Sequence, residues 1–129
     1  MVIANPTTGM PAADYNGDAS FAERAVLAPG TLVYHLPNIS SFTARVCCSS
    51  NATPAGVTFA VSKTGLAGSY LSVPTSSATP SSIATAGGFS YEDLSNSSAI
   101  GSGYNYLQIT LTGSTSNVWD LAIGQLRIN

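Results

Sequence analysis

The sequence predicts an all-β protein, an antiparallel sandwich or barrel that follows an extended N-terminal arm. Three observations predict it. From residue 31 onward, apolar and polar residues alternate with a period of two in short runs rich in β-branched and aromatic residues. Clusters of Gly, Pro, Asn and Ser separate these runs at intervals of roughly 8–12 residues. A single stretch, residues 21–29, has the composition and caps of a helix. The expectation is about seven to nine strands in one domain, residues 21–129, after an arm of residues 1–20.

Taken in order, "MVIANPTTGMPAADYNGDAS" has two Pro, two Gly and no apolar period. It reads as an arm able to lie on a neighbouring subunit, with Val2, Ile3 and Met10 as its anchors. "FAERAVLAP" follows. Ser20 and Glu23 fit a capping box and Pro29-Gly30 a stop, yet a strand from Arg24 to Leu27 or a short turn suits the β-rich chain better. In "TLVYHLP", Leu32, Tyr34 and Leu36 share a face and His35 points the other way. "SFTARVCCS" sets Phe42, Ala44, Val46 and Cys48 against Thr43, Arg45 and Cys47. "GVTFAVSK" aligns Val57, Phe59 and Val61, and "SYLSVP" aligns Leu71 and Val73. "SKTGLAGS" between them reads as a hairpin connection, with Gly65 and Gly68 free to take positive φ.

"PTSSATPSSIATAGG", residues 74–88, reads as a surface loop pinned at Ile83. A short strand or turn around Tyr91–Leu94 places Glu92 and Asp93 on a turn. In "YLQITLT", Leu107, Ile109 and Leu111 oppose Gln108, Thr110 and Thr112, and "GSTSN" turns the chain. In "VWDLAIGQLRI", Trp119, Leu121 and Ile123 share a face. The phase then switches at Gly124 so that Leu126 and Ile128 continue it, which is the mark of a β-bulge.

Composition narrows the function. The chain of 129 residues is 44% hydrophobic but only 8% charged, against roughly 25% in typical globular proteins. Ser, Thr, Ala, Gly and Asn fill the gap, a surface suited to packing in an assembly or to an extracellular or virion setting. Four scattered basic residues and a net charge of −2 argue against nucleic-acid binding. No signal peptide and no membrane span of about 20 apolar residues is visible. Cys47 and Cys48 are neighbours, so they read as free thiols, one buried and one not.

The search for chemistry finds no nucleotide-binding glycine loop and no HExxH. No nucleophile elbow accompanies His35, the one histidine. "DYNGD" at 14–18 does not fit a calcium loop, because Gly17 is out of position and Ala25 stands at the twelfth place. The expectation is therefore no cofactor, no metal and no catalysis. The remaining candidates are Tyr91, Tyr104, Tyr106 and Gln108, which would form an aromatic face for a glycan or for another subunit.

"GVTFAVSKTGLAGSYLSV" resembles the strand–hairpin of galactose-binding-like and discoidin-like jelly rolls. "GYNYLQITLTGSTSNVWDLAIGQLRI" resembles their closing strand pair. The resemblance covers residues 30–129 and implies a jelly-roll sandwich, without carrying over any ligand residue. The chain as a whole is similar to small structural proteins of tailed phages: charge-poor, rich in Ser, Thr, Ala and Gly, with an arm before a β domain. That similarity implies a non-enzymatic capsid decoration or cement protein. It would be located in the virion and made in the host cytoplasm. It would be a homotrimer bound to the major capsid protein or other virion subunits. The alternative is a carbohydrate-binding or host-adhesion module.

Overall fold

Two antiparallel sheets pack face to face, as the alternation requires. The structure, a computed structural model, describes residues 2–4, 21–23, 27–50, 52–77, 83–84, 90–112, 117 and 120–129. Its strands are β1 (Val2–Ala4), β2 (Phe21–Glu23), β3 (Gly30–His35), β4 (Phe42–Cys48), β5 (Val57–Ser62) and β6 (Leu71–Val73). They continue with β7 (Thr75–Ser77), β8 (Ile83–Ala84), β9 (Ser90–Asn96), β10 (Tyr106–Leu111) and β11 (Leu121–Ile128). One sheet runs β1-β2-β11-β4-β9-β7, with β8 also paired to β9, and the other runs β3-β10-β5-β6.

Setting aside the short additions β1, β7 and β8, eight strands remain. Numbered along the chain, they lie in the orders 1-8-3-6 and 2-7-4-5. This is the double Greek key of a jelly roll. The predicted fold class is therefore correct, and the strand order gives it a specific topology.

The core follows the sequence parity. Phe42, Ala44, Val46 and Cys48 face inward from β4, and Val57, Phe59 and Val61 from β5. Leu107, Ile109 and Leu111 of β10 are fully buried, each contributing about 1.5–3 kcal/mol by leaving water. Across the interface the rings of Phe42 and Phe59 stack with centroids 4.6 Å apart. The end of the chain is tied down as well: the Asn129 N–H donates to Ser41 O at 2.9 Å and the Ser40 N–H to Asn129 O at 2.7 Å.

The phase switch in the last strand is a bulge. Ile123 pairs with Val46 and Leu126 with Ala44, so Gly124 and Gln125 together stand opposite Arg45. Leu121 and Ile123 lie in the core, and Leu126 and Ile128 pack against it. One extra residue keeps an eight-residue strand apolar on one side along its whole length. Trp119, expected on the same face, lies outside the described residues.

Several expectations need correction. The segment at 74–88 is not all loop: β7 and β8 lie within it and cover the outer edge of β9. Unpaired backbone at that edge gains ladder partners, which a Ser/Thr-rich sequence hides from pattern reading. Glu92 and Asp93 lie on strand β9 instead of a turn. Both cysteines are buried. Cys47, on the outer face of β4, lies between Ala122 and Tyr91, which are buried themselves. Leu71 keeps the phase of Val73 but is 57% exposed, because the three-residue β6 begins beyond the core. Leu36 follows β3 and is exposed for a similar reason.

At the N-terminus, β1 pairs with β2 in the register Val2–Glu23, Ile3–Ala22 and Ala4–Phe21. Val2 and Ile3 thus extend the chain's own sheet, and Met10 lies outside the described residues. The run at 21–29 opens with a strand at Phe21–Glu23, ahead of the expected Arg24–Leu27, of which residues 24–26 lie outside the described residues and Leu27 lies in a bend.

Candidate functional site

The outer face of the smaller sheet carries the most distinctive side-chain arrangement. Tyr106 of β10 pairs in register with His35 of β3 and with Ser62 of β5. Its ring stacks on the imidazole with centroids 4.3 Å apart and planes 2° apart. On the other side it covers the turn after β5. A Cβ on Gly65 would lie 2.7 Å from Tyr106 Cε1, so the ring sits where only glycine leaves room. The same glycine has φ of +74°, which favours it a second time.

The turn beneath is held by Ser62, which is fully buried. Its Oγ accepts the N–H groups of Thr64 and Gly65 at 3.1 and 2.8 Å and lies 2.6 Å from Ser69 Oγ. Beyond the aromatic pair, Gln108 lies between Val33 and Ala60, and Thr110 between Thr31 and Thr58. The result is a shelf of short side chains ending in a flat two-ring step.

The four residues expected to share this face do not. Tyr106 and Gln108 are on it. Tyr104 precedes β10, packs against the core and lies under the Lys63 ammonium, with Nζ 5.1 Å from its ring centroid. Tyr91 is on β9, in the other sheet, where its ring lies 4.5 Å from the Arg45 guanidinium carbon. Strand parity places residues on a common face only within one sheet, and the topology sends β9 and β10 to different sheets. His35 is solvent-exposed as its phase indicates. Its contact with Tyr106 was not read from the sequence, because it depends on the pairing of β3 with β10.

Around Arg45 the outer face of the larger sheet is polar and closed on itself. Arg45 donates two parallel hydrogen bonds to Asp93, Nε to Oδ1 at 2.9 Å and Nη2 to Oδ2 at 3.1 Å. This pairing holds the guanidinium pKa above its usual value. Thr43 Oγ1 and Ser95 Oγ lie 2.9 Å apart in the next row. Beside them the bulge opens a shallow concavity of about 480 Å³ bordered by Gln125 and Arg127.

A second concavity, of about 490 Å³, lies where the two sheets part at β6 and β7. Buried Phe59, Val73 and Leu94 form its floor, and its polar lining comes from Thr53, Thr58, Ser72, Thr75, Ser77 and Glu92. Glu92 lies two residues from buried Leu94 and in register with Val46, so it occupies a core-facing position. Cys48 is nearby. Burial first, and then the Glu92 charge, push its thiol up to about 12.

Asp120 is fully buried, which its place among six carboxylates in the sequence did not signal. Its Oδ1 accepts the Ser49 hydroxyl at 2.5 Å and its Oδ2 the Asn117 N–H at 2.9 Å. The Ser49 N–H in turn donates to Asp120 O at 2.9 Å. The carboxylate thus joins the start of β11 to the end of β4.

Among the described residues, no group of three His, Cys, Asp or Glu side chains is placed to hold a metal ion. No helix among them is long and apolar enough to cross a membrane. No family model matches the chain, and no curated protein and no solved structure matches it. The arrangement can offer flat stacking at His35–Tyr106, polar contact at the bulge, and a carboxylate-bearing cleft between the sheets.

Proposed function

We propose that this protein is a non-enzymatic structural component of a virus particle, a decoration or cement protein that binds and stabilises the assembled capsid shell. The observation that carries the reading is β1. The N-terminal segment adds a strand to the edge of a jelly-roll sheet, and among the described residues β1 pairs with β2 alone. The other side of β1 offers backbone donors and acceptors to a neighbouring chain, the mode of recognition known as strand addition. The charge-poor, hydroxyl-rich surface suits a molecule held against others in a lattice.

In this reading the protein acts as a homotrimer on the major capsid protein or other virion subunits. Binding the assembled shell and not its free subunits stabilises the shell by mass action. Removing residues 1–20 tests it. The truncated chain should keep its β-rich circular dichroism and lose attachment to shells, whereas unchanged attachment rejects the proposal.

One observation favours a second reading, a carbohydrate-binding or adhesion module. The exposed His35 ring, backed by the half-buried Tyr106 stacked against it and with Gln108 on the same face, is a flat surface of the kind on which sugar rings stack. A glycan array with the native chain and Tyr106→Ala separates the two readings. Binding that disappears in the variant supports the module, and binding no stronger than background removes it.

A further inference from the structure

The cleft between the sheets has a feature that neither reading uses. Core-facing positions of a sandwich are apolar, because a polar group there loses water without gaining a partner. At the β6–β7 margin polar residues take such positions on two adjacent strands, with Ser77 exposed and Thr75 and Glu92 half-buried where the sheets part. Thr75 and Ser77 of β7 pair in register with Asn96 and Leu94, so they share the inward face of Leu94. Glu92 of β9 lies on that face too, opposite fully buried Val46.

The Glu92 carboxylate has no hydrogen-bond or ion-pair partner among the described residues. The described cations nearest by sequence or topology are directed elsewhere. Arg45 is paired with Asp93 on the opposite face of the sheet, and Lys63 lies over Tyr104. Arg127 borders the concavity at the bulge.

The lining selects the class of ligand. A half-buried carboxylate repels anions and is best matched by a charged donor. A sugar would want an aromatic platform, but the one ring at the floor, Phe59, is buried against Phe42. What the floor does offer is aliphatic surface from Val73 and Leu94. The volume, about 490 Å³, suits a small group or a long side chain.

We propose that this cleft binds a cationic head on a short aliphatic stem, an ammonium or guanidinium. The stem lies on Val73 and Leu94, the head pairs with Glu92, and the hydroxyls of Thr75 and Ser77 accept its remaining N–H donors. The same chemistry is presented by a lysine or arginine side chain of a partner chain and by a free alkylamine. The site is independent of capsid attachment through β1, and either proposal can fail without the other.

Amide NMR on the full chain tests it, with n-butylammonium, n-butylguanidinium, capped lysine and capped arginine as probes. Sodium chloride at equal ionic strength and butan-1-ol are the controls. The cations should shift the amides of Thr75, Ser77 and Glu92, and butan-1-ol should not. Glu92→Gln should weaken binding by about tenfold or more, the loss of one charged hydrogen-bonded contact. Ser77→Phe should block the cleft while leaving the charge in place. Unmoved Gln108 and Ile109 amides report that either variant remains folded. Tighter binding of the capped amino acids than of the simple amines identifies a partner side chain, and the reverse identifies a free amine. Cation shifts no larger than those of sodium chloride overturn the proposal, as does undiminished affinity in Glu92→Gln. If Glu92→Gln fails to fold, undiminished affinity in Ser77→Phe overturns it.

Discussion

The imidazole of His35 lies flat on the phenol ring of Tyr106, with the two planes only 2° apart. Seventy-one positions separate them in the chain (106 − 35), and the pairing of β3 with β10 brings them together. The same ring fills the space above Gly65, so one tyrosine braces a strand pair and a turn at once.

Tyr106→Ala should therefore destabilise the domain by about 1–3 kcal/mol, combining a lost ring pair with lost burial over the turn. Urea unfolding of the variant measures this. A change within experimental error would mean that the stack is not maintained in solution. Gly65→Ala should cost at least about 1 kcal/mol, from positive φ and from displacement of the ring. Gly68→Ala, with φ of +81° but nothing near its Cβ position, should cost less.

The bulge in β11 can be tested by removing it. Deleting Gln125 alone leaves Leu121, Ile123, Leu126 and Ile128 in one simple two-residue period, so that shortened chain should keep close to native stability. Deleting Gly124 and Gln125 together turns Leu126 and Ile128 away from the core, and exposing two such side chains should cost about 3 kcal/mol or more. Equal stability of the two shortened chains would contradict the bulge assignment.

The Arg45–Asp93 pair spans two neighbouring strands with side chains 19% and 25% exposed. Its bidentate geometry and the adjacent Tyr91 ring limit its freedom. A double-mutant cycle with Arg45→Met and Asp93→Asn should give a coupling energy of about 1 kcal/mol. A coupling near zero would mark the pair as a surface contact without energetic weight.

Cys48 sets an alkaline limit. Its thiol pKa is raised from 9.0 to about 12 in the folded chain. The folded state therefore holds its proton where the unfolded state has lost it. The stability tied to this group is fully present below pH 9.0 and falls as pH rises towards about 12. Unfolding free energies measured on either side of pH 9.0 should decline on the alkaline side, and less steeply in Cys48→Ala. At neutral pH the native thiol should resist alkylation until the chain unfolds.

The amino-acid sequence by itself determined which residues share a side of each strand. The alternations of β4, β5 and β10, the positive-φ glycines of the β5–β6 connection and the phase switch at Gly124 were all legible. Each is a local consequence of side chains pointing alternately up and down, or of a turn that only glycine enters easily. Parity, however, says nothing about which strands become neighbours.

Only the tertiary structure decided that. It sent Tyr91 and Tyr106 to opposite sheets, set His35 on Tyr106 and buried Cys47 between Ala122 and Tyr91. It turned Asp120 inward to meet Ser49 and opened the sandwich over Glu92. Strand order is settled by how the whole set of apolar faces can be buried at once, with every backbone donor and acceptor paired. That is a condition on the complete chain, and no short stretch of sequence carries it.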